Sequence, residues 1–230
     1  MNLRPLLSAL LVSGLAAGAQ AATVLSDDFE TGQINGGSSQ YTAVPDGTFT
    51  SPGDYGVVSD PSVSFTNGYA QQFDHTLGTA SGHMLFFDGA PSSGTEIWTQ
   101  SAQLTAGVSY TFSYDNVWVQ ALAPRVPGTD AVGGNPNAPL TQLLIDGAAA
   151  GGSLEAQGGI WSGSTYTFTA AHTGSYNFSI VDLNVQGDMN DGALDDIRLV
   201  SAVPEPASGA LLLVGLAGMA AFARRRHRQG

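Results

Sequence analysis

The side chains of this 230-residue chain that could do chemistry are few: imidazoles, indoles and many carboxylates. His75 follows Asp74 and stands eight residues before His83, a grouping that a metal could use, although histidines in such polar loop sequence read as solvated side chains. His172 stands alone. No activated serine is in place: Gly78-Thr79-Ala80-Ser81-Gly82 spaces its glycines like a nucleophile elbow but sets the serine one place late. Glycoside hydrolysis needs two carboxyls about 5–10 Å apart, and Glu96, Glu155 and the aspartates contain no pair that spacing singles out. The chain therefore reads as non-catalytic, with a glycan hydrolase or lyase as an open alternative. Asp188-Met189-Asn190-Asp191-Gly192 mimics the start of an EF-hand. Its glycine is fifth rather than sixth, and no glutamate follows at the twelfth place, so it reads as an acidic turn.

Binding needs other residues. An aromatic ring presented to solvent can stack on the apolar face of a pyranose. Trp98, beside Ile97, and Trp161, just before a strand, read as core or rim packing, since tryptophan is highly buried on average. Trp118 is the better candidate. It lies in Asp115-Asn116-Val117-Trp118-Val119-Gln120, at the head of a proline-rich stretch, with Tyr114 and Tyr55 behind it. An aromatic with amides and a carboxylate beside it is the composition of a shallow polar stacking site.

Composition narrows the partners. Between Ala22 and Ala202 there are 18 Asp or Glu against Arg125 and Arg198, and the chain has no lysine. Such a surface repels nucleic acid and anionic lipid and suits calcium or neutral sugars. The chain also has no cysteine, which excludes disulfides and thiolate-based zinc or redox chemistry.

The elements that must position these residues are strands. Val108–Tyr114 alternates with period two throughout, and Met84–Phe87, Ile97–Leu104, Leu140–Ile145, Tyr166–Ala170, Gly174–Val181 and Ala193–Val200 are further short segments of strand composition. Gly, Asn, Asp and Pro punctuate them, and no useful length shows a helical period. Residues 32–60 and 123–139 read as loops. Several short strands with frequent turns predict an all-β fold over residues 23–202, a β-sandwich or jelly roll.

Particular segments of this body resemble known proteins. Asp27-Asp28-Phe29-Glu30-Thr31-Gly32 and Gly192-Ala193-Leu194-Asp195-Asp196-Ile197-Arg198-Leu199 resemble the first and last strands of galactose-binding-like jelly rolls, a group that includes carbohydrate-binding modules. Leu104–Phe112 is similar to their middle strand, and Phe168–Ala170 with Thr173–Tyr176 to their late hairpin. The resemblance implies a single jelly-roll β-sandwich whose first and last strands lie together and often share a structural Ca2+, for which Glu30 and Asp195 would be the ligands, helped by backbone oxygens near Asp28. In plain alternation Asp195 shares the inward face with Ile197 and Leu199, while Asp196 looks outward to Arg198. An inward aspartate capped by backbone amides, without metal, is the alternative.

Both ends carry addresses. Residues 1–22 have Arg4, an apolar stretch from Leu6 to Ala17 and Ala19-Gln20-Ala21, the pattern of a secretory signal peptide. Residues 203–230 begin with Val203-Pro204-Glu205-Pro206, two prolines that end regular structure. Then come the 17 uncharged residues Ala207–Ala223, and Arg224, Arg225, Arg226 and Arg228 close the tail. As a helix the apolar run spans roughly 25 Å, a short transmembrane segment with its basic end in the cytoplasm. The tail resembles the PEP-CTERM sorting signal of exopolysaccharide-producing Gram-negative bacteria. That resemblance implies an exosortase-type processing enzyme as partner, an intermediate anchored in the inner membrane, and delivery to the cell surface or extracellular matrix. Together the two resemblances imply a matrix protein that engages exopolysaccharide. A purely structural matrix protein without specific glycan binding is the other alternative.

Overall fold

The alternating segments close into two stacked β-sheets. The structure, a computed structural model, describes residues 21–45, 51–64, 69, 71–119, 138–185 and 190–202. Most of the expected signal peptide lies outside the described residues, as do the sorting motif Val203–Pro206, the apolar span 207–223 and the Arg224–Arg228 cluster. Ala22–Ala202 forms one compact unit. Among the described residues no helix is long and apolar enough to cross a membrane.

In chain order the elements are β1 (Thr23–Asp27), β2 (Thr42–Ala43), β3 (Asp54–Val58), α1 (Pro61–Ser64), β4 (Met84–Asp88), β5 (Glu96–Leu104) and β6 (Ser109–Trp118). After them come β7 (Leu140–Ile145), β8 (Ala148–Ala149), β9 (Leu154–Glu155), β10 (Ser162–Thr169), β11 (Gly174–Asp182) and β12 (Gly192–Ser201). The larger sheet runs β10-β6-β12-β4-β3-β2, with β1 also on β12; the smaller runs β5-β11-β7-β8, with β9 also on β7. This is the sandwich expected from the pattern, in the jelly-roll form that the resemblance implies. All seven strands read from the sequence are present, within a few residues at their ends.

One expectation fails. Residues 32–60, read as a loop, contain β2 and β3. β3 pairs antiparallel with β4 from Asp54↔Asp88 to Val58↔Met84. Its sequence, Asp-Tyr-Gly-Val-Val, puts a charge and a glycine where one face would be read as apolar, which hides the period. Burial on both faces supplies what propensity lacks: Asp54, Gly56 and Val58 are buried beneath other segments.

The core lies between the sheets. Phe112 on β6 stacks on Phe178 on β11, with ring centroids 5.4 Å apart and planes 9° from parallel. Trp98, Tyr114, Ile180, Leu194, Ile197 and Leu199 complete its centre. A second apolar cluster, Val58, Tyr69, Met84, Phe86, Val117, Val119 and Ala193, lies on the opposite face of the larger sheet. It explains why β4 is buried on both sides.

Acidic residues fasten the ends of this frame without cations. Asp27, at the end of β1, accepts the Trp98 indole N–H at 3.0 Å, tying one sheet to the other. Asp182, at the end of β11, accepts the Leu140 amide at 3.0 Å and the Asn184 amide at 2.9 Å. Burial pushes the Asp182 carboxyl up to about 6, against those two amides. The folded state therefore keeps a proton that the unfolded chain releases near its ordinary value of 3.8. Stability from this group is full at low pH and is lost as pH rises through about 6. The difference of about two pH units corresponds to roughly 3 kcal/mol. Urea denaturation from pH 4 to pH 7 will show stability falling over that window, and Asp182→Asn will flatten the fall by about that amount. An unchanged slope in the variant would remove Asp182 as its source.

Candidate functional site

Chemistry gathers on the face of the larger sheet away from the sandwich core, where residues 71–83 lie against β6 and β12. The local cause is a β-bulge. Asp195 pairs with Asp115, but the next pair is Arg198 with Ser113, so β12 advances three residues while β6 advances two. The extra residue adopts a left-handed conformation: Asp196 has φ 50°. The same two positions separate the neighbours on the other edge of β12, where β4 pairs with Gly192–Leu194 and β1 with Ile197–Val200.

This bulge corrects the facing read from plain alternation. Leu194, Ile197 and Leu199 all point into the core, and Asp195 shares the other face with Ala193 and Asp115. Asp195 is nevertheless fully buried, because residues 71–83 cover it. Its Oδ2 accepts the amides of His75 at 2.6 Å and Thr76 at 3.1 Å. Its Oδ1 accepts the Asp196 amide at 2.7 Å and the Thr76 hydroxyl at 3.3 Å. Burial pushes this carboxyl up to about 7, opposed by those amides. Asp196 does not turn to Arg198: its Oδ2 meets His75 Nδ1 at 2.8 Å, and its Oδ1 accepts the Thr76 hydroxyl at 3.1 Å.

The covering segment is held elsewhere too. Trp161 donates its indole N–H to the Phe73 carbonyl at 3.0 Å, and Glu30 Oε1 accepts the His83 amide at 3.2 Å. Asp74 accepts the amides of Leu77 and Thr79, making a tight turn. Gly82 is required there, since any Cβ would overlap the Asp74 carboxyl.

The resulting shelf has four members. His75 Nδ1 lies 3.6 Å from Asp115 Oδ2 as well as against Asp196, and its ring sits 5.7 Å from that of Trp161. His75 is 42% exposed at its side chain, and the two carboxylates about half as much, 21% and 23%. Burial draws the His75 pKa down, but the Asp196 hydrogen bond and the charges of Asp115, Asp196 and Asp195 outweigh it and raise the value. Burial raises Asp115, which His75 lowers and Asp196 raises further.

The residues singled out in the sequence fare unequally. Trp118 is 3% exposed and packs with Ala138 and Ala156, and Tyr114 is 1% exposed, its hydroxyl 3.0 Å from Thr141 Oγ1. Neither offers a ring face to a sugar. The reason is that β6 runs on through Trp118, so alternation carries Tyr114, Asn116 and Trp118 inward together. Trp98 is core and Trp161 rim, as read. Glu30 and Asp195 sit at opposite ends of the 71–83 segment, each engaged by backbone N–H groups. As held, they do not fit a shared calcium site, because four donors occupy the Asp195 oxygens that a cation would need. The arrangement is that of the amide-capped aspartate. His75, read in the sequence as a solvated loop side chain, meets Asp115 and Asp196 instead of Asp74 and His83. The adjacent Asp74-His75 and Asp195-Asp196 doublets were visible in sequence, but nothing there placed them together.

Comparison with known proteins agrees with the two parts of the chain. Residues 202–228 match the PEP-CTERM protein-sorting motif. That motif marks an exported protein held at a membrane before processing. No curated protein matches the chain in sequence. Among solved structures the chain is similar to the CBM22-1 xylan-binding domain of Paenibacillus barcinonensis Xyn10C, with TM-score 0.50, 11% identity, and coverage of 82% of this chain and 99% of that one. It is also similar to the Stig cyclase Fisc from Fischerella sp. TAU, with TM-score 0.52, 16% identity, and coverage of 81% and 100%. At these identities the likeness establishes the jelly-roll fold that carbohydrate-binding modules and at least one enzyme share.

Asp195→Ala will strand the His75 and Thr76 amides. A loss of roughly 2–5 kcal/mol is expected, because each buried unsatisfied donor costs about 1–3 kcal/mol. Hydrogen exchange will accelerate at residues 75–79 and stay unchanged between β5 and β11. A loss below about 1 kcal/mol would show that the carboxylate does not hold this segment.

Proposed function

We propose that the protein is an exported, non-catalytic surface or matrix component of a Gram-negative envelope, whose jelly roll binds exopolysaccharide at the Trp161 shelf. The observation that carries the binding reading is the half-buried indole of Trp161. Its N–H is anchored to Phe73, its ring lies beside His75, and Asp115 and Asp196 flank that imidazole. An aromatic platform with polar groups at its rim, mounted on a strand and a pinned loop, suits stacking of a sugar ring together with hydrogen bonds to its hydroxyls. The xylan-binding neighbour shows that the fold can carry such a role, and the acidic, lysine-free surface favours a neutral glycan over an anionic one.

Catalysis is the weaker reading. Asp115 and Asp196 stand on one sheet face with both carboxylates turned to the same imidazole, rather than on opposite sides of a cleft. The tail supplies the address: an exosortase-type enzyme would process the chain near Val203–Pro206 after its apolar segment has held it at the inner membrane.

Affinity electrophoresis through the host's own exopolysaccharide tests the site. Retardation by the wild-type chain should weaken at least tenfold in Trp161→Ala and stay unchanged in Leu183→Ala, a surface control. Equal retardation of Trp161→Ala and wild type would remove the shelf as the binding site. Release of reducing ends from that polymer would replace binding by hydrolysis. For the address, Glu205→Ala should leave uncut protein in the membrane fraction. Normal release of that variant would refute processing at the motif.

A further inference from the structure

The His75, Asp115 and Asp196 group can do more than edge a sugar platform. Its three ligating atoms, one imidazole nitrogen and two carboxylate oxygens, all lie within 4.8 Å of one another. They come from three separate parts of the chain: the 71–83 segment, β6 and the bulge of β12. The separations from His75 Nδ1, 2.8 Å to Asp196 and 3.6 Å to Asp115, bracket the about 3.4 Å between ligands bound tetrahedrally at roughly 2.0–2.2 Å from one ion. An ion could therefore replace the His75–Asp196 hydrogen bond with ligand shifts of less than about 1 Å.

The surroundings hold these ligands in place. Asp196 directs Oδ2 to the site while its Oδ1 is occupied by the Thr76 hydroxyl, the kind of outer contact that orients a ligating carboxylate. His75 is fixed through its backbone by Asp195, and its ring lies against Trp161. Charge points the same way. Two carboxylates share a single imidazole, and the only ion pairs among the described residues are the two that His75 makes with them. Even a protonated histidine leaves one negative charge uncompensated.

From this geometry we infer that His75, Asp115 and Asp196 form a divalent transition-metal site of the Zn2+ class, open on its solvent side. One nitrogen and two oxygens without sulfur select Zn2+ or a neighbouring first-row ion over Cu+, and the imidazole selects against Ca2+ and Mg2+. Three protein ligands leave a coordination position for water or for a ligand hydroxyl beside Trp161.

The inference does not depend on glycan binding, and its test separates the two. The untagged intact chain is set to compete with a chromogenic chelator for Zn2+. One Zn2+ per chain is expected, with affinity lowered at least tenfold in both His75→Gln and Asp115→Asn, and within twofold of wild type in Leu183→Ala, an exposed position away from the three ligands. Asp115→Asn leaves every amide contact of Asp195 intact, so it reports on the metal even if His75→Gln loosens the segment. Thermal unfolding in EDTA checks that Asp115→Asn is folded like the wild type. Absence of 1:1 binding at millimolar Zn2+, or equal affinity in Asp115→Asn and wild type, would overturn the site.

Discussion

One buried carboxylate holds the outer face of the larger sheet to the segment that lies on it. Asp195 sits where β12 exchanges one edge neighbour, β4, for another, β1, and its four accepted hydrogen bonds join the bulge to the segment that covers it. Without those donors, a charge under that cover would be too costly to keep. With them, the segment that brings in His75 is locked to the strand that brings in Asp196. The shelf beside Trp161 is a consequence of that lock.

The rest of the frame follows the same economy. A domain with 18 acidic residues, two arginines and no lysine cannot neutralise its buried carboxylates with ion pairs. It uses backbone and indole N–H groups instead, at Asp27, Asp182 and Asp195. Neutral donors offset less of the desolvation than a cation would, so burial dominates and all three carboxyls titrate well above the ordinary range. On the surface the same imbalance leaves Asp115 and Asp196 with one imidazole between them.

Function divides along the chain in a comparable way. The last 28 residues carry an address, recognisable from Pro204, Glu205, Pro206, an apolar run and the arginines, because a sorting signal is read as linear sequence. The jelly roll carries whatever binds. Its overall path is shared with a xylan-binding module and a cyclase alike, so the path alone does not select a ligand. In the proposed reading the side chains on one face of the larger sheet do.

Sequence by itself determined the all-β class and seven of the strands, because strand composition and turn residues are local properties that survive in any single chain, while the jelly-roll path was legible only through short segments that resemble known jelly rolls. The sorting tail was equally legible. Tertiary structure decided the rest. β3 was hidden because burial on both faces replaces alternation, and Trp118 turned inward because β6 runs four residues beyond its apparent end at Tyr114. Asp195 left the Ile197 face because a bulge inserts one residue and shifts the alternation of everything before it. His75 met Asp115 and Asp196 across 40 and 121 positions of sequence. No local pattern encodes such a meeting: it exists only once the bulge has opened β12 and its buried carboxylate has captured the covering segment.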